Sequence, residues 1–424
     1  MALAAAAIGT AGFLAAKPTK SWWLQNTDIS SVAMTPSLPD RADVVIIGAG
    51  LTGCATAFWL RRLFGRSSMV IDARGCAGGA TGRNGGHLWS NPTSDFEQQN
   101  VRELLQFLEE EGVDCDLTQD GAVALERRNP EVGVVYHDEE SDPERGLDGE
   151  DEDYGDTPLW TAEDCEHGLQ TASFSAATLH KGAAQFFPAK VAAALLRSSK
   201  ASLHAPVKVL AISHGGGTDG SHKLVQTEHG NVRARHVVVA TNGWAAELLP
   251  ELREHLYPCR NQVIMTKPLP ATSDWQVGAF SVDSEVGARE LYAIRRPDGR
   301  ICLGGARALE VGAAVGSTDD ATLSDEVGGY LRKFLDEHFS SLQPVEIEAE
   351  WTGILGFTRD RRPLIGEIRP GVFVAAGFCG HGMPQCTGAG KALAQMVEGG
   401  HDDELHPFVR GPANVKRAMN QTAD

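Results

Sequence analysis

A run of four apolar residues, 44–47, begins the clearest pattern in the chain. A continuous apolar run of this length is typical of a parallel strand that is buried on both faces. Gly48, Gly50 and Gly53 follow at once in GxGxxG spacing, and the next apolar residues recur at helical spacing: Ala55, Phe58, Trp59 and Leu63. The pattern predicts a strand, a tight glycine turn and a helix whose N-terminus faces a phosphate group.

A second strand is predicted over residues 68–71, and it ends at Asp72, 19 residues after Gly53. In dinucleotide-binding βαβ units an acidic residue at this place hydrogen-bonds a ribose hydroxyl, which favours FAD or NAD over NADP. The alternative is a tight turn that binds nothing. Because strand, glycines, helix, strand and acid stand in the right order, the sequence favours a dinucleotide site.

A second glycine-rich stretch covers residues 76–90, CAGGATGRNGGHLWS. An NAD-binding domain would continue here into a third βα unit, but this stretch is too polar and flexible for a core strand. It offers many unencumbered backbone N–H groups beside the first site. Such a loop suits a longer cofactor, whose pyrophosphate and flavin ring need cover, and so it favours FAD.

These segments resemble the D-amino-acid oxidase-type family of FAD-dependent oxidoreductases, and most of all its amine-oxidising branch, typified by γ-glutamylputrescine oxidoreductase. The resemblance covers about residues 22–408. It implies an α/β fold, with a Rossmann-like FAD-binding domain of the glutathione-reductase type and a second domain with a mixed β-sheet that binds substrate. The implied limits are 1–37 for an N-terminal extension, 38–95, 180–245 and 350–410 for the FAD-binding domain, and 96–179 and 246–349 for the substrate domain.

Three later segments extend the resemblance: APVKVLAI, HVVVATNG and GFCGHGM. In the family the first contacts adenine through its backbone, the second closes over adenosine, and the third points N–H groups at the flavin's pyrimidine carbonyl, where negative charge accumulates. The expected FAD-binding residues are Gly48, Gly50, Leu51, Thr52, Gly53, Asp72, Ala73, Arg74, Gly79, Ala80, Thr81, Gly82, Arg83, Asn84, Gly85, Gly86, His87, Val207, Thr241, Asn242, Gly353, Gly380, His381, Gly382 and Met383.

Three side chains are candidates for a catalytic role. His87 could act as a base or donor near neutral pH, or it could be a structural histidine bonded to the loop backbone. Tyr292 faces a substrate or simply packs within its strand. His381 contributes its imidazole or only its backbone. In this family the neutral amine transfers hydride to flavin, so positioning can matter more than a strong base.

Two departures from the family's pattern limit the expected substrate and the expected mode of flavin attachment. Relatives that oxidise free amino acids carry an arginine two residues after the glycine that matches Gly353, and it clamps the substrate carboxylate. Here that position is Leu355, which favours an amine without a nearby carboxylate unless another arginine, such as Arg295, substitutes. The positions where relatives attach flavin covalently, at Gly353 and near Arg83, hold no cysteine or histidine, so noncovalent FAD is expected.

The expected reaction is oxidation of a primary or secondary amine by hydride transfer to FAD. The imine would hydrolyse to an aldehyde, and O2 would reoxidise the cofactor and yield H2O2. One alternative is an FAD-dependent dehydrogenase of a 2-hydroxy acid or amino acid that passes electrons to a quinone or carrier protein. Another is a non-enzymatic, FAD-stabilised module that recruits a partner.

Charge and composition limit the partners. The chain carries 38 basic and 56 acidic residues, and residues 138–156 alone hold 11 acidic residues against one basic. That stretch is expected to be a solvated insertion, with partner docking as its alternative. The chain has no evident basic patch, no CxxC pair and no HExxH motif, so neither nucleic acid nor metal is expected. Protein partners are not predicted.

The apolar N-terminus ends at Lys17. It is shorter than the ~20 residues of a membrane-spanning helix, so no membrane span is expected. Cytoplasmic localisation is the default expectation, and secretory or organellar targeting stays open.

Overall fold

A computed structural model describes residues 17–28, 32–127, 159–215, 222–269, 274–283, 289–400, 405–410 and 414–415. The acidic stretch 138–156 and the apolar N-terminus before Lys17 lie outside the described residues. Within them the helices are α1 (Trp22–Gln25), α2 (Leu51–Phe64), α3 (Asp95–Glu110), α4 (Ala162–Leu169), α5 (Pro188–Ser199), α6 (Ala245–Leu248), α7 (Asp325–His338), α8 (Cys386–Val397) and α9 (Pro407–Arg410).

The strands of the described residues form two large sheets and one small one. They are β1 (Arg41–Ile47), β2 (Met69–Ile71), β3 (His87–Leu88), β4 (Ala122–Arg127), β5 (Leu159–Thr161), β6 (Phe174–His180), β7 (Ala184–Gln185), β8 (Ser202–His204), β9 (Val209–His214), β10 (Lys223–Thr227), β11 (Gly230–Val239), β12 (Leu256–Thr266), β13 (Ala279–Asp283), β14 (Arg289–Arg295), β15 (Ile301–Gly305), β16 (Ile347–Thr358), β17 (Leu364–Arg369) and β18 (Val372–Ala376).

The first sheet has the order β17-β18-β11-β1-β2-β8. Its strands from β18 to β8 are parallel, and β17 pairs antiparallel with β18. Val44 and Ile46 of β1 pack into the core that also holds α2, α5 and α8, while Val45 and Ile47 pack into the core on the opposite face. The strand is therefore buried on both faces, as its continuous apolar run predicts.

The turn between β1 and α2 requires glycine at two places. Gly48 has a φ of +108°, and a Cβ there would lie 2.5 Å from the Ala240 carbonyl oxygen. A Cβ on Gly53 would overlap the carbonyl oxygen of Gly48. The glycine spacing thus lets α2 begin directly against the strand, with its N-terminus at the carboxyl edge of the sheet.

The second sheet has the order β16-β12-β15-β14-β13-β4-β6-β5. It is mixed, because β4 and β13 are parallel and the other neighbours are antiparallel. On β14, Leu291 and Ala293 pack in a core with α7, whereas Ile294 packs in the core shared with the first sheet. One face of this sheet therefore packs toward the strands of the first sheet, which contain the predicted dinucleotide-binding turn.

The sheet to which β16 belongs and the packing of α3 both differ from the predicted domain limits. β16 pairs with β12 along its length, so residues 350–358, predicted within the FAD-binding domain, belong to the second sheet. α3, predicted within the substrate domain, packs on the first sheet's helices, and its Phe107 ring lies 4.8 Å from the ring of Phe58. The apolar face of α3, rather than its place in the chain, decides where it packs.

The segment around α1, predicted as part of an extension, is integrated into the core. Trp23 is fully buried, and its indole N–H donates to the Asn84 carbonyl at 2.7 Å. The ring of Trp23 also meets Phe187 edge-on, with centroids 4.8 Å apart. This segment therefore packs against the second glycine-rich loop and holds its backbone at Asn84.

A buried ion pair ties the two sheets together. Asp320, in the loop before α7, is fully buried and accepts two hydrogen bonds from Arg74, at 2.6 and 2.9 Å. Arg83, also buried, lies 3.9 Å from the same carboxylate and donates to the Thr352 carbonyl at 2.8 Å. Burial lowers the pKa of Arg83 to about 10, and Asp320 opposes that shift. The carboxylate thus balances two enclosed cations.

All eight cysteines lie in the described residues as free thiols, and seven of them are buried. Across the same residues, no three His, Cys, Asp or Glu side chains are grouped as a metal ion would require. No helix there has the length and apolar character to cross a membrane.

We expect Asp320→Asn to lower the free energy of unfolding by about 3–5 kcal/mol, because it leaves buried guanidinium groups without a countercharge. Urea denaturation of the flavin-loaded protein, followed by circular dichroism, measures the change. Asp120→Asn is the control, since its side chain is 43% exposed and pairs with Arg295 near the surface. The control should lose less than about 1 kcal/mol. Equal losses in both variants would contradict the assignment.

Candidate active site

The two glycine-rich loops meet at the N-terminus of α2. The backbone N–H of Leu51 donates to the Thr81 hydroxyl at 2.9 Å. A Cβ on Gly50 would lie 3.0 Å from the same oxygen. The neighbouring predicted residues Thr52, Gly79, Ala80 and Gly82 belong to these two segments. The residues expected to hold the pyrophosphate therefore lie side by side, where open α/β sheets bind ligands.

Asp72 lies at the end of β2 and closes the same turn. Its carboxylate accepts hydrogen bonds from the backbone N–H groups of Ala49, Arg74 and Gly75, at 2.8, 2.7 and 2.8 Å. Its carbonyl accepts the N–H of Val207 at 2.9 Å. Because that N–H is used within the protein, only the Val207 carbonyl stays a predicted contact to adenine. Ala73 lies between these bonded groups.

Two buried polar atoms beside the first glycine turn indicate that a ligand fits there. The Thr241 hydroxyl and the Trp244 indole nitrogen are buried, and neither has a hydrogen-bond partner among the described residues. The Thr241 nitrogen lies 3.4 Å from a Cβ placed on Gly48, and the Trp244 ring lies 3.7 Å from one placed on Gly79. Buried polar groups are nearly always paired, so a polar group such as the ADP half of FAD fits here.

Two side chains that were predicted to bind FAD are engaged elsewhere. The Arg74 guanidinium binds Asp320, and the Arg83 guanidinium donates to the carbonyls of Gly78, Thr352 and Thr19. Neither guanidinium is therefore a candidate for cofactor contact, and the backbone N–H groups of Arg74 and Arg83 are also used within the protein, by the Asp72 carboxylate at 2.7 Å and the Ala80 carbonyl at 3.1 Å. Sequence reasoning missed Asp320 because its partner lies 246 residues away, and no local motif marks it.

The predicted flavin end brings together loops that are far apart in the chain. The Asn84 amide donates to the Met383 sulfur at 3.3 Å, which joins the second glycine-rich loop to the turn after β18. The Asn242 side-chain oxygen accepts the N–H of Gly377 at 2.9 Å, so the turn after β11 meets the same segment. A Cβ on Gly353 of β16 would approach the Arg83 side chain.

Tyr292 of β14 packs against the second glycine-rich loop, beside His87 of that loop. A Cβ on Gly85 would lie 2.5 Å from the Tyr292 ring, and the Tyr292 oxygen accepts from the Asn261 amide at 2.7 Å. The His87 ring meets the Tyr292 ring edge-on, with centroids 5.6 Å apart. His87 Nε2 lies 3.0 Å from the Ala293 carbonyl. Since a carbonyl only accepts, Nε2 carries the proton, which favours the structural role for His87.

Neighbouring Gly86 is equally close to the second sheet. Its φ is +84°, and a Cβ there would lie 2.9 Å from the Ile294 side chain. The loop backbone can run this close to β14 only because Gly85 and Gly86 carry no side chain.

The His381 imidazole is held by a carboxylate that sequence reasoning missed. Glu97 of α3 is 4% exposed, and it accepts from His381 Nε2 at 2.9 Å, from the Gln385 amide at 2.6 Å and from the Asn91 N–H at 2.8 Å. Burial acts to raise the pKa of Glu97, but the charge of His381 and these hydrogen bonds outweigh it, so the pKa is lowered. An ionised carboxylate therefore anchors the turn.

The backbone of this turn is partly used internally. The His381 N–H donates to the Phe378 carbonyl at 2.8 Å, so it does not point at a ligand. The N–H groups of Gly380, Gly382 and Met383 stay the predicted donors to the flavin.

Leu355 packs in a small apolar cluster with Cys259, Phe357, Cys379 and Tyr257. Arg295, the alternative to a clamp at position 355, does not reach that position. Arg295 is three positions after Tyr292 along β14, so the two side chains lie on opposite faces of the strand. Its guanidinium donates to the Asp120 carboxylate at 3.2 Å and to the Trp275 carbonyl at 3.4 Å. The contacts of Arg295 therefore do not favour that alternative.

The sequence profile of the DAO family, described as FAD dependent oxidoreductase, matches residues 43–396. The chain belongs to this family. It is therefore an FAD-dependent oxidoreductase, and the cofactor expected from the glycine-rich loops is confirmed. A non-enzymatic module is correspondingly disfavoured.

Individual relatives span almost the whole chain. A probable oxidoreductase, OrdL, of Rhizobium meliloti is 27% identical over 90% of this chain and 89% of its own. The γ-glutamylputrescine oxidoreductase of Escherichia coli is 25% identical over 84% of each chain. The crystal structure of glycine oxidase from Geobacillus kaustophilus superposes with a TM-score of 0.71 at 20% identity, covering 89% of this chain and 99% of that one. The predicted α/β fold with a mixed second sheet is confirmed.

We expect Gly53→Ala to abolish flavin binding, because its Cβ would overlap the Gly48 carbonyl and push α2 away from the glycine turn. Flavin released per mole of purified protein, read from the visible absorbance, measures the loss. Gly329→Ala in α7 is the matched control, since its Cβ would meet no atom within 4 Å. That variant should keep its flavin and gain up to about 1 kcal/mol from helix propensity. Full flavin content in Gly53→Ala would refute the packing argument.

We expect Glu97→Gln to lower the free energy of unfolding at pH 7 by about 1.5–3 kcal/mol, because hydrogen bonds to a charged group are lost. The folded-state pKa is depressed, so this contribution is present above the ordinary pKa of about 4.3 and is lost as pH falls further. Urea midpoints of both proteins from pH 7 to 3 should therefore converge in acid.

The matched control for that series is Glu103→Gln. Glu103 also joins α3 to α8, through Lys391, but both side chains are 24% exposed. Its effect should stay below about 1 kcal/mol. A difference between wild type and Glu97→Gln that does not shrink in acid would show that ionised Glu97 is not the cause.

Proposed function

We propose that this oxidoreductase acts on a primary or secondary amine. Bound FAD supplies the hydride acceptor, the imine product hydrolyses to an aldehyde and an amine or ammonia, and O2 takes the two electrons to give H2O2. The observation that carries the proposal is the meeting of three segments at one place: the second glycine-rich loop, the turn after β18 and Tyr292 of the second sheet.

The names of relatives support the same reaction class. The Escherichia coli relative is named for γ-glutamylputrescine and the Geobacillus structure for glycine, and both compounds are amines. Leu355 supports a substrate that is not held by a clamp at that position, because an aliphatic side chain cannot pair with a carboxylate.

The side chains at this place suit positioning rather than proton abstraction. His87 Nε2 is protonated, and the His381 imidazole is bound to Glu97. The Tyr292 oxygen accepts a hydrogen bond from the Asn261 amide, which fixes the position of the ring beside the loop. A neutral amine that is correctly oriented needs no strong base to release hydride.

We further propose that FAD is held noncovalently. The Cys379 thiol is buried, its sulfur donates to the Gly377 carbonyl at 3.2 Å, and burial raises its pKa. A protonated thiol is a poor nucleophile. Cytoplasmic localisation stays a prediction from the sequence.

The proposal is tested by adding a panel of amines, amino acids and 2-hydroxy acids to the flavin-loaded protein without oxygen. We expect amines to bleach the visible flavin absorbance, and we expect air to restore it with one H2O2 formed per flavin. Bleaching only by 2-hydroxy acids, or by no compound, would refute amine oxidation. Bleaching by an amine with recovery only after a quinone is added would identify the dehydrogenase alternative.

Release of the flavin by heat or acid tests the mode of attachment. A yellow supernatant over colourless precipitated protein is expected for noncovalent FAD, and colour retained by the precipitate would overturn that expectation.

A further inference from the structure

The side-chain oxygen of Asn261 is buried and has no hydrogen-bond partner among the described residues. Asn261 lies in β12 and is 7% exposed. Its amide N–H donates to the Tyr292 oxygen at 2.7 Å, so the amide is held by its nitrogen and only its oxygen is left over. Buried acceptors are nearly always paired, which indicates that a donor reaches this oxygen when the site is filled.

Strand alternation places the Asn261 side chain on the face of the second sheet that packs toward the first sheet. Val263 and Met265, two and four residues further along β12, pack in the core shared with the first sheet. Side chains two residues apart leave the same face of a strand, so Asn261 shares their face. Its neighbour Gln262 leaves the opposite face, where its amide donates to Glu350 at 2.7 Å.

Two contacts place Asn261 beside the second glycine-rich loop. Its register partner on β16 is Gly353, and a Cβ there would lie 2.9 Å from the Arg83 Cβ of that loop. Its hydrogen-bond partner Tyr292 packs on Gly85 of the same loop, where a Cβ would lie 2.5 Å from the ring. The amide therefore lies where the second sheet meets the loop that is predicted to surround the flavin end.

The unpaired atom is an acceptor without charge, and this limits the donors that suit it. An amide oxygen accepts from an N–H group but cannot donate. A carboxylate at the same place would favour the ammonium form of an amine, which has no lone pair to assist release of a hydride. The neutral amide accepts the N–H and leaves the amine free to lose its proton.

We propose that the Asn261 side-chain oxygen accepts a hydrogen bond from the N–H of the amine substrate and orients the reacting nitrogen. Primary and secondary amines keep an N–H in their neutral form, whereas tertiary amines do not. A site built to bond an N–H group rejects a compound that lacks it, because the buried acceptor is then left unpaired. The inference rests on the proposed amine oxidation, since it assigns the residue that holds the amine.

The test uses two cations that are not oxidised, so it does not depend on turnover. tert-Butylammonium donates through N–H groups, and the carbon that bears its nitrogen has no hydrogen to transfer. Tetramethylammonium has the same charge and nearly the same shape, but no N–H. Isothermal titration calorimetry of the flavin-loaded protein gives each Kd. We expect wild type to bind tert-butylammonium at least tenfold more tightly, the range for a hydrogen bond that involves a charged group.

Asn261→Leu keeps nearly the same side-chain volume and removes the acceptor. The ratio of the two Kd values should fall about tenfold, because only tert-butylammonium loses a hydrogen bond. Gln262→Met is the matched control, since Gln262 is also buried in β12 but leaves the opposite face. It should keep the wild-type ratio. A change in shape alone would weaken both cations together and leave the ratio unchanged.

If Asn261→Leu is purified without flavin, Asn261→Ala replaces it, since this variant removes the same acceptor and adds no branched side chain beside the loop. The same fall in the ratio is expected. Loss of flavin from both variants would assign the oxygen to the cofactor or to folding, and would overturn the inference.

Equal Kd values for the two cations in wild type, no binding of tert-butylammonium, or an unchanged ratio in the Asn261 variants would also overturn it. A preference for tert-butylammonium that depends on Asn261 supports the inference even where no amine reduces the flavin. The failure of amine oxidation and the failure of the amine-binding assignment are therefore separate results.

Discussion

Two enclosed arginines and one buried carboxylate determine how the site is assembled. Arg74 and Arg83 both lie near Asp320, which is the anion that balances them. The remaining acceptors for Arg83 are the carbonyls of Thr19, Gly78 and Thr352 and the hydroxyl of Thr19. These groups come from the start of the described chain, the glycine-rich loop and β16. Since leaving a guanidinium unpaired in the interior is costly, the conformation of the loop depends on groups from both sheets.

The need for bonding partners from both sheets also explains why the site lies between them. The second glycine-rich loop is fixed from one side by Trp23 and Trp351, whose indoles donate to the carbonyls of Asn84 and Arg83. Its other side meets Tyr292 at Gly85. Hydrogen bonds within the protein therefore hold the loop backbone. The face of the loop between the two tryptophans and Tyr292 is left to contact a ligand.

Local patterns predicted the elements whose structure depends on neighbours in the chain. The apolar run at residues 44–47 identified a strand buried on both faces, and the spacing of Gly48 and Gly53 identified the turn that follows. Both inferences rest on contacts within one βαβ unit. The family resemblance added the second sheet and the cofactor, which no single local pattern establishes.

What the sequence did not reveal depends on partners that are distant in the chain. Glu97 bonds to His381, 284 residues away, and nothing in α3 marks that carboxylate as different from its exposed neighbours. Arg295 was a plausible clamp by composition, but strand alternation sends it to the opposite face of β14 from Tyr292. Periodicity gives the spacing of side chains along a strand, whereas the choice of face is fixed by which core the strand covers.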